Sequence, residues 1–202
     1  MAFAEMLGGL LKPVHGAEVP FSTKPQIADV FRDLTNATDP QHIRGFRYEN
    51  LGVAYLEATT PSEHFIVGPT LIEKSLCYGL PTGKNDPEIK LPDAMIFKPV
   101  GDYYVLEEVI EFKAGLARYK SAEKLRGFKN LFEYLRGHPT HLNSHISAAL
   151  HERDMPRLFI PKVDYDIEVH FVSPRPNLED LPFHDDTDFR VFYWTLPEQQ
   201  AA

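Results

Sequence analysis

The chain has 202 residues, 43% hydrophobic and 25% charged, a balance that fits one ordinary globular domain with its own buried core. No stretch approaches the roughly 18 apolar residues that cross a bilayer, so no membrane partner is expected, and the apolar start from Met1 to Leu11 lacks the basic lead-in and cleavage site of an export signal. The lone Cys77 excludes a disulfide within the chain and points to a reducing, cytoplasmic setting, while the net charge of -8 excludes a protein that coats nucleic acid through overall charge.

In chain order, the sequence predicts an N-terminal arm and short helix over 1–38, a core over 39–172, and a C-terminal loop and strand over 173–202, all within one domain. Residues 1–24 read as an irregular arm, and Pro25 opens a short helix with Ile27, Val30, Phe31 and Leu34 at helical spacing. Asp39 followed by Pro40 is a helix start, an N-cap before a first-turn proline, and that helix is expected to reach Ala58. The apolar groups of 64–80 suit either a strand or a helix, and 83–88 reads as a loop. Pro92 to Phe97 predicts a strand, Pro99 to Asp102 a turn, and Tyr103 to Lys113 a longer strand rich in β-branched and aromatic residues, together a hairpin. After Gly115 a helix places Leu125, Phe128, Phe132 and Leu135 on one face and ends at Gly137 and Pro139. A second helix over 143–153, a half-buried strand from Tyr165 to Val172 and a last strand from Phe189 to Leu196 complete a mixed sheet flanked by helices, an α/β fold.

The chemistry concentrates on the hairpin. Side chains alternate along a strand, so Glu111 and Lys113 project from the same surface. A hairpin closing near Gly101 brings the start of its first strand, and therefore Asp93, beside Glu111. Two carboxylates so close repel each other unless a positive charge lies between them, and hard carboxylate oxygens suit Mg²⁺ or Mn²⁺. Glu49 is a further candidate, because Phe46, Glu49, Val53 and Leu56 share one helix face and a carboxylate in an apolar stripe is costly without a partner. The basic residues Lys120, Lys124, Arg126 and Lys129 follow the hairpin on a helix and are candidates for contacting a phosphate backbone.

Pro92-Asp93 followed by Glu111-Phe112-Lys113, on a hairpin that precedes a helix, resembles the PD-(D/E)XK nuclease superfamily. The resemblance covers residues 43–172 and implies a restriction-endonuclease-like αβββαβ core. It implies hydrolysis of phosphodiester bonds, with DNA favoured over RNA as the substrate. Asp93, Glu111 and the main-chain carbonyl of Phe112 would be metal ligands, Lys113 the catalytic lysine, and Glu49 an additional ligand from the first core helix. A lone domain of this kind would use a homodimer or a targeting protein partner.

Other readings stand beside these. Glu111 with Lys113 also reads as a solvated same-face pair, and Glu49 as a stripe-edge residue paired with Arg44 or Arg47. The basic residues also suit a solvated helix face, and a non-catalytic nucleic-acid- or protein-binding module that keeps the nuclease fold is the alternative function. His141 and His145 share a helix face as zinc ligands would, but no cysteine or acid has the matching spacing, and Asp185, Asp186 and Asp188 read as a polar loop.

Overall fold

The computed structural model describes residues 18–20, 49, 52, 53, 56, 60–68, 88–113, 118–140, 157–172 and 188–195, with side chains excepted at 18–20, 118–120, 194 and 195. The described strands are β1 (Glu18–Pro20), β2 (Phe65–Val67), β3 (Ala94–Val100), β4 (Tyr103–Phe112), β5 (Arg157–Phe159), β6 (Glu168–Val172) and β7 (Arg190–Thr195). A 20-residue helix, α1 (Arg118–Gly137), lies between β4 and β5, and a 3₁₀ turn, Asp164–Asp166, precedes β6. One mixed seven-stranded sheet runs in the order β1-β7-β6-β4-β3-β2, with β5 also paired to β4. The fold is α/β.

Strand β4 is the spine of this sheet. It pairs antiparallel with β3 on one edge, and on the other it runs parallel to β5 along Tyr103 to Val105 and to β6 along Glu108 to Phe112. A strand with partners on both edges and cover on both faces needs apolar side chains in succession rather than in alternation. Val109, Ile110 and Phe112 meet that need and are buried. The turn between β3 and β4 is Gly101-Asp102, shorter than the expected Pro99 to Asp102, and Gly101 takes φ 58°, a left-handed conformation that glycine adopts without steric cost.

Helix α1 covers one face of the sheet. Leu125, Phe128, Leu131, Phe132 and Leu135 are buried in one cluster with Met95, Phe97, Leu106, Val109, Val169, Phe171, Val191 and Tyr193. Each such side chain contributes about 1.5–3 kcal/mol of burial, and Phe132 meets Phe189 edge to face at 5.9 Å. The opposite face carries Ile96, Ile110, Phe112 and Phe192, all buried. Here the helical residues Gly52, Val53 and Leu56 approach the sheet. A Cβ on Gly52 would lie 2.5 Å from the Phe112 ring, so glycine is what lets this helical segment come close.

A bulge sets which face each acid of β4 uses. The register steps from Ile96↔Glu108 to Phe97↔Leu106, leaving Glu107 as the extra residue. Without that step Leu106 would share its face with Glu108 rather than with Val109 and Glu111. With it, Glu111 falls on the α1 side and Glu108 on the other. There the buried His170 lies with Nε2 3.3 Å from Glu168 and 3.6 Å from Glu108, its ring stacked 5.0 Å from Phe192. Burial lowers the His170 pKa, against the opposing pull of Glu168.

Several expectations need correction. Glu18 to Pro20, expected within an irregular arm, pairs in parallel with β7. Strand β6 begins at Glu168 rather than Tyr165, because Arg136 at the end of α1 pairs with Asp164 and donates to the Pro161 carbonyl at 2.6 Å, holding the preceding residues in a turn. It is also buried on both faces rather than half-buried, since Val169 and His170 are both inaccessible. Strand β5 was not anticipated. The helix at 25–34, most of the helix at 39–58, residues 69–80 and 83–87, and the helix at 143–153 lie outside the described residues. No described helix is long and apolar enough to cross a membrane.

Gly52→Val should overpack this contact and lower stability by about 1–3 kcal/mol, measured as a reduced urea midpoint at unchanged slope. An unchanged midpoint would mean that the Phe112 ring yields without cost.

Candidate functional site

Four acidic and basic side chains that the sequence singled out meet at the end of β4. Asp93 sits one residue before β3 and accepts a hydrogen bond from the Phe112 N–H at 2.7 Å, which ties it across the hairpin beside Glu111. Lys113, just past β4, is anchored by its own N–H donating to the Val172 carbonyl at 2.9 Å. Its ammonium lies 2.6 Å from Glu111 Oε1, 3.3 Å from Glu49 Oε1 and 3.8 Å from Asp93 Oδ2. One cation therefore touches carboxylates from three separate segments, and the solvated-pair alternative for Glu111 does not hold, because that side chain is 0% exposed. Glu49 turns toward Lys113 and is 33% exposed.

A fifth group joins them. Lys124 of α1 places its ammonium 2.8 Å from Glu111 Oε1 and donates to the Leu91 carbonyl at 3.4 Å. It was expected in a stripe with Lys120, Arg126 and Lys129, but about 100° per helical residue puts Arg126 and Lys129 well around the helix from Lys120 and Lys124. Lys129 pairs instead with Asp188, and Arg126 is exposed. The Lys120 side chain lies outside the described set. Helical phase, which the basic residues' simple proximity in sequence obscured, was the signal that could have placed Lys124 in the corner.

Three carboxylates here face two ammonium groups. Burial, then the neighbouring Glu111 charge, pushes the Asp93 pKa well above its ordinary value of 3.8, with Lys113 opposing. For Lys113 burial acts to lower the pKa, and Glu111 and Asp93 outweigh it and hold the ammonium charged. Glu111 Oε2 is buried and receives no hydrogen bond from the described residues, although a charged oxygen in such a place carries a large desolvation penalty.

Among the described residues no three His, Cys, Asp or Glu side chains are grouped as a ready cage for a metal ion. The donor chemistry nevertheless fits a hard cation: Asp93 and Glu111 offer oxygens from adjacent strands, and Glu111 Oε2 is a buried acceptor in want of a positive partner. His141 and His145, the pair with zinc-like spacing, lie outside the described residues, as do Cys77, Asp185 and Asp186, and the nearby His138 is stacked on Tyr134 at 4.3 Å.

The raised Asp93 pKa has a definite consequence for stability. Between the ordinary carboxylate value and the raised one, the native state binds more protons than the unfolded chain, so stability falls as pH rises through that window, by up to about 1.4 kcal/mol per pH unit. In chelator, Asp93→Asn should remove this decline and melt higher than wild type at neutral pH. Parallel stability profiles for the two proteins from pH 4 to 8 would contradict it. No family model, curated protein or solved structure matches this chain, so the reading of the corner rests on its own geometry.

Proposed function

We propose that this chain is a divalent-metal-dependent nuclease of the PD-(D/E)XK type, acting on DNA in preference to RNA. The observation that carries the reading is the convergence of Asp93, Glu111, Lys113 and Glu49 on one corner, with a buried Glu111 oxygen that no donor among the described residues satisfies. The order of elements supports it: helical residues near 49–56, then β2, β3, β4, α1 and β6, with the acid before one strand and the acid-x-lysine triplet closing the next. With the short β5 inserted before β6, that order is compatible with the αβββαβ core that the resemblance implies.

Asp93 and Glu111 would hold a Mg²⁺ or Mn²⁺ ion, with the Phe112 carbonyl and Glu49 as further oxygen donors. When bound, the ion supplies Lewis acidity toward the phosphodiester and a lowered pKa for water. Asp93 is oriented for this by the Phe112 N–H, and Glu111 by the ammonium groups on its Oε1. Lys113 keeps a fixed positive charge where negative charge develops on phosphorus oxygens, and a donor already in place costs no reorganisation during reaction. Glu49, partly exposed and 3.3 Å from the Lys113 ammonium, would accept a hydrogen bond from an attacking water.

One observation favours the alternative of a non-catalytic module with the same fold: the two lysines already neutralise much of the corner without a metal. Cleavage separates the two. Purified protein should nick or degrade DNA with Mg²⁺ or Mn²⁺ and stop in chelator. Asp93→Ala and Lys113→Ala should each lose at least about 100-fold in rate while remaining folded by circular dichroism. Cleavage at equal rates by wild type and both variants would sink the nuclease reading.

A further inference from the structure

Lys124 differs from the other cation of the corner in what holds it. Lys113 is flanked by three carboxylates and fixed through its backbone to β6. Lys124 touches one carboxylate, Glu111, and otherwise reaches the Leu91 carbonyl, with its ammonium 5.9 Å from the Phe128 ring centre. Its side chain is 25% exposed, and a flexible four-carbon stem on the flank of a helix lets such an ammonium change partners. Both ammonium groups contact the same oxygen, Oε1, so together they supply Glu111 with the charge a single divalent cation would bring.

The charge balance of the corner then depends on what is bound. With every group ionised, the three acids exceed the two lysines by one negative charge. A divalent cation reverses this to one positive charge in excess, which a phosphodiester linkage cancels. The cation and Lys124 compete for Glu111, and the phosphate offers Lys124 a new anionic partner.

We propose that Lys124 couples cation binding to substrate binding: it neutralises Glu111 before a divalent cation arrives, then transfers to a phosphate oxygen of the nucleic acid once the cation has taken over the carboxylate. The inference rests on the nuclease reading and adds to it a residue for which neither the motif nor its spacing gives a role in the metal site. Linkage makes the effect reciprocal, so that DNA strengthens cation binding by the same factor as the cation strengthens DNA binding.

Two titrations test it. Calorimetry with MnCl₂ should show Lys124→Gln binding Mn²⁺ about 10-fold more tightly than wild type, because a competing positive charge is gone, whereas Lys129→Gln should match wild type. Anisotropy of a labelled DNA duplex should show wild type binding about 10-fold tighter in Ca²⁺ than in chelator, and Lys124→Gln gaining less than about 2-fold. If wild type binds Mn²⁺ but Lys124→Gln binds it no more tightly, or shows the same gain in DNA affinity, the coupling role is wrong and the nuclease reading survives. If wild type binds no Mn²⁺, both fall. Should Lys124→Gln fail to fold, Lys124→Arg decides the matter: a guanidinium gripping Glu111 in two places should weaken Mn²⁺ binding, and unchanged affinity overturns the proposal.

Discussion

A glutamate with no solvent exposure, held at one oxygen by two lysines, is the interaction on which the rest of this molecule's candidate chemistry depends. Removing a carboxylate from water costs several kcal/mol even after relaxation, and a native chain keeps one there only if its surroundings return much of that cost. Lys113 and Lys124 do so for Oε1 of Glu111, while Oε2 is left without a donor among the described residues. Asp93 then feels Glu111 across the hairpin and holds its proton more tightly, and Lys113 feels both acids and holds its charge. Asp93 and Lys113 are thus tied through Glu111 into one electrostatic unit.

The fold produces that unit through the position of β4. Because β4 pairs on both edges, its last residues are enclosed by β3, β6, α1 and the helical segment around Gly52. The bulge at Glu107 turns the final acid of the strand toward α1, where Lys124 can reach it, and sends Glu108 to the other face beside His170. Asp93 and Lys113 are fixed by backbone hydrogen bonds to neighbouring strands, so the corner is built on the rigid part of the sheet.

Much of this could be read from the residues. The turn residues from Pro99 to Asp102 and the β-rich run from Tyr103 marked the hairpin, and hairpin geometry alone put Asp93 beside Glu111. The apolar stripe of Leu125, Phe128, Phe132 and Leu135 marked the face of α1 that meets the sheet, and the odd acid Glu49 in another stripe stood out as a candidate that the resemblance assigned to the same corner. What escaped depends on tertiary context. The bulge leaves no mark, because Glu107-Glu108 reads as polar whichever face each takes. His170 looks like an outward residue by alternation and is buried, with Phe192 of β7 stacked on its ring. Strands of three residues such as β1 and β5 are too short for a periodic signal, and Lys124 was grouped with its neighbours in sequence rather than by its angle on the helix.

Where a cation would sit is tested, without reference to activity, by anomalous diffraction from crystals soaked in Mn²⁺. An anomalous peak should appear within coordination distance of carboxylate oxygens from both Asp93 and Glu111, with the Lys124 ammonium displaced from Glu111 Oε1. A peak elsewhere on the molecule, or none at a Mn²⁺ concentration well above cellular levels, would contradict it.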